Sequence, residues 1–369
     1  MTEPGKGRTL GILGGGQLGR FLALAARDLG WKTAALDPSA DSPALQVVDT
    51  PMVGAVDDVD AAARLAGASD IVTLEWEMIA LPVLEKVASL RPLHPSPSVL
   101  AFIQDRLVQR RFLAKHGFPQ TEYAEANSPG DLPSHAVILK RRKHGYDGKG
   151  QARLDPPADL SKAAQVLMQP CIWEKIVPFQ KEISVILART KEGRTSVFPV
   201  AENIHRNGIL LATRAPAEIP SPTARRATAL ALEVAQALGH VGVMAVEMFL
   251  LADGALLINE IAPRVHNSGH YTMGACTTSQ FEQHVRAVCG LPFGETQGKP
   301  AVMVNLMGEL WNNGEPDWDL LGRIPGLAIH LYGKSEARPR RKMGHYTVVG
   351  PAAAEEWRRA DERLSALRG

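Results

Sequence analysis

Glu247 and Glu260 flank the turn signal Asp253-Gly254 inside two apolar runs, Val243–Leu251 and Ala255–Ile261. Asp-Gly between such runs is a two-residue hairpin signal. Pairing outward from that turn sets Glu247 directly opposite Glu260, with both carboxylates on one face. Like charges placed so repel, and the apolar strands deprive them of water. A divalent cation between them removes both costs, and hard carboxylate oxygens suit Mg2+. The plain alternatives are another hairpin register, one protonated glutamate, or a pairing with Arg264. Arg264, His266, Asn267, Ser268 and His270 follow at once, a set able to hold an anion and a substrate beside a metal. For either histidine alone, a buried structural role is the bland reading.

Three further stretches carry chemistry. In Lys140–Gln151, Gly145, Gly148 and Gly150 interleave with basic residues, and backbone amides with ammonium groups suit a polyphosphate. The stretch lacks the P-loop pattern, and a solvated basic loop is its alternative. Gly14–Gly19 fits GxGxxG after a strand, with Asp37 at the end of the next strand. That allows a dinucleotide, or a tight turn serving some other ligand. Cys171–Glu182 is an apolar strand bearing Glu174 and then Glu182, able to present an adenine edge and a ribose acceptor, or to be a surface strand.

These residues need elements to carry them. Periodicity predicts strands at Thr9–Leu13, Trp31–Leu36, Val47–Val48 and Ile71–Leu74, alternating with helices at Gln17–Leu29, Val59–Ala66 and Leu81–Leu90, hence an open parallel sheet. Ser98–His116 reads as one helix. Strands follow at Ala136–Lys140, Cys171–Lys175, Glu182–Ala188, Thr195–Val200 and Gly208–Ala212, then a helix at Pro222–Leu238, the hairpin, and a helix at Ser279–Cys289. Val302–Met307, Ala328–Leu331 and Tyr346–Val349 are strand-like, and the helix Ala353–Leu367 puts Trp357, Ala360, Leu364 and Leu367 on one docking face.

A chain of 369 residues, 45% hydrophobic and 22% charged, is globular with two or three domains, which excludes disorder. The formal charge of +2 argues against a nucleic-acid binder but not against a local anion pocket. Cys171, Cys276 and Cys289 are far apart, against a disulfide framework or zinc site. With no bilayer-length apolar run and no signal-like start, a cytoplasmic protein without a membrane partner is expected.

Together the chain resembles the N5-carboxyaminoimidazole ribonucleotide synthetases of the ATP-grasp superfamily, from about Thr9 to Val349. The resemblance rests on Gly11–Arg20, Gln104–Leu107, Lys140–Arg142 with Gly145–Gln151, Asn259–Arg264 with His266–His270 and, more weakly, Thr73–Glu77. It implies an α/β and α+β architecture: a Rossmann-like parallel-sheet domain (1–108), an ATP-grasp domain with a glycine-loop lid (109–290) and a small β-rich domain with a terminal helix (291–369). By that resemblance Arg106, Lys140 and Gly145, Tyr146, Asp147, Gly148, Lys149, Gly150 and Gln151 contact the phosphates of ATP. Glu174, Lys175, Ile176 and Val177 frame adenine, Glu182 takes the ribose, and His205 touches the nucleotide. Glu247 and Glu260 hold Mg2+. Asn259 belongs to the same motif but faces away if the register holds, reaching the site through its backbone. Asp147, Lys149, Arg264, His266 and Asn267 serve catalysis. Gln17, Leu18, Glu75, Tyr146, Arg264, His266, Asn267, Ser268, Lys334 and Arg341 meet the ribonucleotide and bicarbonate.

The implied reaction carboxylates 5-aminoimidazole ribonucleotide with bicarbonate and ATP through carboxyphosphate, in a cytoplasmic homodimer of purine biosynthesis. Two departures from the family pattern are Val265, where proline is usual, and Lys149, where arginine is common and would fork onto an anion as lysine cannot. The rival within the fold is another ATP-grasp ligase, such as the formate-dependent glycinamide ribonucleotide transformylase. Rivals outside it are an NAD(P)-dependent oxidoreductase built on Gly14–Gly19 and a non-catalytic nucleotide-binding regulator.

Overall fold

Thr9–Leu13, Lys32–Asp37 and Ile71–Leu74 bury side chains on both faces, the pattern of strands covered above and below. In the computed structural model, which describes residues 5–143, 145, 150–155, 160–206 and 208–368, they form the centre of a parallel sheet. Its five strands run Thr50–Val53, Lys32–Asp37, Thr9–Leu13, Ile71–Leu74, Leu93–His94. The strand order reverses between Thr9–Leu13 and Ile71–Leu74, so a crevice opens beyond their carboxyl ends. Gly14–Gly16 and Glu75–Glu77 lie there.

The strand expected at Val47–Val48 sits instead at Thr50–Val53. The Asp49 carboxylate accepts from Thr33 N (2.8 Å) and Thr33 Oγ1 (2.9 Å), which pins the chain and starts the strand after it. The single helix expected over Ser98–His116 is two, Pro97–Ile103 and Arg106–Lys115. Asp105 leaves the helical region and caps the second through Leu107 N (3.0 Å), as an aspartate at that position favours.

A nine-stranded antiparallel sheet follows. Its main path runs Leu256–Ala262, Gly242–Leu251, Phe179–Arg189, Ala201–Arg206, Ile209–Ala215, Ala301–Met307, Lys342–Val349, Leu327–Leu331, with Thr195–Val197 beside Phe179–Arg189. Strands from both sides of residue 290 thus share one sheet. A four-stranded sheet, Tyr123–Ala126, Cys171–Lys175, Val137–Arg141, Gln151–Leu154, stands apart from it. The helix Ser221–Leu238 buries Ala227, Ala231, Val234 and Ala235 against Ile183, Val185 and Met244, and ends at Gly239 in the left-handed region (φ 63°). Each Val or Ile buried this way contributes about 1.5–3 kcal/mol. In the terminal helix, Ala353–Arg368, Ala360 is fully buried and Trp357 packs on the same cluster; the side chains of Leu364 and Leu367 lie outside the described residues. Among the described residues no helix is long and apolar enough to cross a membrane.

Candidate active site

A cleft of about 590 Å³ opens where the three sheets meet. On the parallel-sheet side it is lined by Gln17, Leu18 and Glu75–Met78. The glycine turn here is already occupied. Glu75 Oε2 accepts from Gly19 N (2.7 Å), its Oε1 accepts from Gly16 N, and Asp37 Oδ2 accepts from Gly15 N (2.8 Å). The start of helix Gln17–Asp28 is thereby capped by a carboxylate 56 residues away. Burial raises the Glu75 pKa, against the opposing pull of those two amides. The glycines make room for these acids: a Cβ on Gly14 would stand 2.6 Å from Glu75 Cγ, and one on Gly15 would stand 2.5 Å from Asp37 Cβ. The dinucleotide reading fails on this geometry, because both the pyrophosphate donors and the ribose acid are spent inside the turn.

The nucleotide wall comes from the four-stranded sheet and the helix Arg106–Lys115. Lys140 Nζ donates to Glu174 Oε2 (2.6 Å), and Arg110 Nε donates to Glu174 Oε1 (2.8 Å). Burial alone would push Glu174 up; the Lys140 and Arg110 charges reverse that and hold it at about 2. Burial lowers the Lys140 pKa, and Glu174 opposes it. The Glu174 carboxylate therefore aims Lys140. Arg106 Nη2 donates to Gly145 O (3.1 Å), at the base of the glycine loop. His144, Tyr146, Asp147, Gly148 and Lys149 lie outside the described residues. Across the cleft, His205 Nδ1 meets Glu182 Oε2 at 2.5 Å. Burial works against a charged His205, but the bond and charge of Glu182 win and raise its pKa.

Glu247 pairs with Glu260 across neighbouring strands, as the spacing predicts, though by another route. Leu251 N donates to Ala255 O (2.9 Å), so the turn is a three-residue loop with Gly254 at φ 82°, not a two-residue one. A β-bulge at Asn259 then restores the pairing. Asn259 and Glu260, adjacent in sequence, both line the cleft, where regular alternation would have turned Asn259 away. Asn203 Nδ2 donates to Glu247 Oε1 (3.2 Å) and to Ser184 Oγ (2.5 Å). Burial, then the facing Glu260, raises the Glu247 pKa. Two carboxylates that resist sharing charge fit a divalent cation. Among the described residues no cluster of three or more acidic, His or Cys side chains could hold a metal alone. Mg2+ commonly takes one or two carboxylates and fills its shell with phosphate oxygens and water, so the pair fits it.

Beside this pair, Arg264 forks onto Glu77: Nη2 donates to Oε1 (2.8 Å) and Nε pairs with Oε2. His266 Nδ1 accepts from Ser268 N (3.3 Å) and lies 2.8 Å from Ser268 Oγ. A backbone N–H can only donate, so the ring proton sits on Nε2. Burial, then Arg264, holds this imidazole well below its ordinary pKa, hence neutral. Both polar side-chain atoms of Asn267, a cleft residue, are buried without a partner, an orphaned pair that a ligand would satisfy.

The structure thus brings Gln17, Leu18, Glu75, Arg106, Lys140, Gly145, Gln151, Glu182, His205, Glu247, Asn259, Glu260, Arg264, His266 and Asn267 to one cleft. Gly150, Glu174, Lys175, Ile176, Val177, Ser268, Lys334 and Arg341 do not line it. Glu174 and Ser268 are buried behind it, acting through Lys140 and His266. Lys334 Nζ donates to Lys342 O (2.7 Å) and Arg341 Nη1 to Glu336 O (2.7 Å), whereas Lys342 itself reaches the cleft. Sequence reasoning missed Ile138, Phe179, Leu210 and Phe249, which give the cleft its apolar side, with Phe179 and Phe249 stacked at 4.6 Å. For Phe249 a signal existed: it alternates with Glu247 on one strand face.

Fold and site define an ATP-grasp protein. The ATP-grasp domain family matches residues 111–281, a ribonucleotide synthetase preATP-grasp domain matches 7–104, and a phosphoribosylaminoimidazole carboxylase C-terminal domain matches 301–359. The N5-carboxyaminoimidazole ribonucleotide synthase of Brucella melitensis is 42% identical over 361 residues, covering 94% of this chain and 97% of that one. A crystal structure of an N5-carboxyaminoimidazole ribonucleotide synthetase in complex with ADP superposes with a TM-score of 0.93 at 43% identity over 100% of both chains. The Aspergillus clavatus N5-carboxyaminoimidazole synthase, solved with ADP and 5-aminoimidazole ribonucleotide, gives 0.88 at 34% identity over 98% of both. The chain belongs to the N5-carboxyaminoimidazole ribonucleotide synthase family.

Proposed function

We propose that this protein carboxylates 5-aminoimidazole ribonucleotide with bicarbonate, converting ATP to ADP and phosphate, in purine biosynthesis. The observation that carries the reading is the paired Glu247 and Glu260 facing Lys140 and Arg264 across a cleft whose far wall is the switch crevice. A bicarbonate oxygen attacks the γ-phosphorus and ADP leaves, giving carboxyphosphate. The exocyclic amine nitrogen then bonds to the carboxyl carbon, directly or after release of CO2, while phosphate departs and the amine loses a proton. Such phosphoryl transfer needs positioning and charge neutralisation. Arg106 and Lys140 bind phosphate oxygens, Arg264 holds the carboxylate-bearing group, and Ile138, Phe179 and Phe249 take the adenine. Glu247 and Glu260 would hold Mg2+, which supplies charge neutralisation at the transferring phosphoryl group.

His266, neutral and protonated at Nε2, donates to an oxyanion; this leaves Asp147 for the amine proton. Gln17, Leu18, Glu75 and Asn267 face the ribonucleotide, and Lys342 joins Lys334 and Arg341 as a candidate for its phosphate. The same reading carries a cytoplasmic homodimer with no nucleic-acid or membrane partner and domains at 1–108, 109–290 and 291–369. The test is ADP release with and without each substrate. Stimulation requiring both the ribonucleotide and bicarbonate is expected; no response to the ribonucleotide, or formate replacing bicarbonate, overturns the reading.

A further inference from the structure

The opposition of Glu247 and Glu260 depends on one inserted residue. From the turn outward the partners are Leu250 with Leu256, Phe249 with Leu257 and Met248 with Ile258. Continued without interruption, that register would put Asn259 opposite Glu247 and turn Glu260 to the other face of the sheet. The bulge at Asn259 prevents this, and a bulge leaves backbone groups outside the ladder.

Arg110 meets those groups. It lies on the helix Arg106–Lys115, 148 residues before Ile258 in the chain, and its side chain is 2% exposed. Its Nη1 donates to Ile258 O and its Nη2 to Asn259 O, each at 2.9 Å. Its Nε donates to Glu174 Oε1 (2.8 Å), and the other oxygen of that carboxylate receives Lys140 Nζ (2.6 Å). One planar guanidinium therefore touches the two carbonyls that frame the bulge and the carboxylate that aims the cleft lysine. It lines no part of the cleft itself.

We infer that Arg110 is a positioning residue that locks the bulged register of Leu256–Ala262, and so holds Glu260 opposite Glu247, while anchoring Lys140 through Glu174. The metal side of this inference rests on the function proposed above; the register side does not. Lysine in its place keeps a charge near Glu174 but cannot fork onto two carbonyls.

The test compares full-length wild type, Arg110→Lys, Arg110→Met and Glu174→Gln by amide hydrogen exchange without ligands, and by Mn2+ binding with ADP present. In Arg110→Lys the amides of 257–261 should exchange about tenfold faster while those of Thr9–Leu13 keep their protection, a local opening and not global unfolding. Mn2+ binding should weaken alongside. Glu174→Gln leaves both carbonyl bonds in place and should raise the KM for ATP without speeding exchange at 257–261. If Arg110→Met does not fold, the lysine variant still decides. Exchange at 257–261 unchanged in Arg110→Lys overturns the register lock. Faster exchange together with a wild type that takes up no Mn2+ supports the lock and overturns the metal assignment.

Discussion

Arg264 lies fork-on against Glu77, 187 residues earlier in the chain, and joins the antiparallel sheet to the end of the parallel one across the cleft. The guanidinium assigned to the reacting anion is thus already paired, and an incoming carboxylate or phosphate must share it with Glu77. Removing one partner of a buried pair costs about 3–5 kcal/mol, and with both side chains 14% exposed the lower end applies. Glu77→Gln should therefore lower stability to urea by about 3 kcal/mol. Arg264→Lys should retain more of the fold but lose most ADP release, because an ammonium cannot fork. Wild-type stability in Glu77→Gln would mean that the pair holds nothing together.

Glu247 next to Glu260 is a destabilising arrangement unless something sits between them. Glu247→Gln removes one charge while its amide oxygen can still accept from Asn203 Nδ2. Without metal the variant should be at least as stable as wild type, by up to about 1 kcal/mol. With Mg2+ and ADP the order should reverse, and ADP release should fall about a hundredfold or more, the scale of several kcal/mol of charge stabilisation. Thermal melts with and without Mg2+·ADP check this. A metal-free variant markedly weaker than wild type contradicts it.

That pair also marks how far the sequence could be read. Composition and spacing put the two glutamates opposite each other, but the turn is longer than Asp253-Gly254 implies and the bulge compensates by one residue. Two departures cancel, because the face a strand residue takes depends only on parity. The alternating strands and helices of the parallel sheet were legible through their periodicity. The break at Asp105 was not, since an aspartate can sit on a helix surface or cap a new helix, and only the docking of Arg142 on it (2.7 Å) decides. Arg110, Glu77 and Lys342 were missed or underrated because their roles are long-range: nothing local to Arg110 announces the carbonyls of Ile258 and Asn259.

His284 gives a pH dependence with a definite sign. Its Nδ1 accepts from Val243 N (3.0 Å), so its proton is on Nε2, 2.8 Å from Thr73 Oγ1, which in turn donates to His94 O (2.8 Å). This relay ties the parallel sheet to the antiparallel one. Burial pushes the imidazole down to about 3, and burial likewise holds His270 at about 3 and His240 at about 4. An unfolded histidine titrates near about 6.5. The folded values lie below it, so the unfolded chain binds more protons: the contribution is complete above pH of about 6.5 and is lost as pH falls toward 3, by up to about 1.4 kcal/mol per pH unit for each group. Urea unfolding from pH 7 to 4.5 should show stability falling with pH. His284→Gln should be weaker at pH 7 but shallower in slope by about one proton. An unchanged slope would exclude His284 from the acid response.

Gly16 tests what the glycine turn is for. The residue has φ −74°, which any amino acid can adopt, so the effect of a side chain there is steric. A Cβ would stand 2.6 Å from Glu75 Oε1 and 3.0 Å from Oε2, displacing the carboxylate that caps Gln17–Asp28. Gly16→Ala should cost about 1–3 kcal/mol, the range for overpacking a filled site. In a Glu75→Ala background the same change should cost far less, because the obstacle is gone and neighbouring sites couple. The double-mutant cycle is read by urea unfolding. Were the glycine kept for a bound pyrophosphate, alanine at 16 would cost the same with or without the Glu75 carboxylate, and the two changes would add.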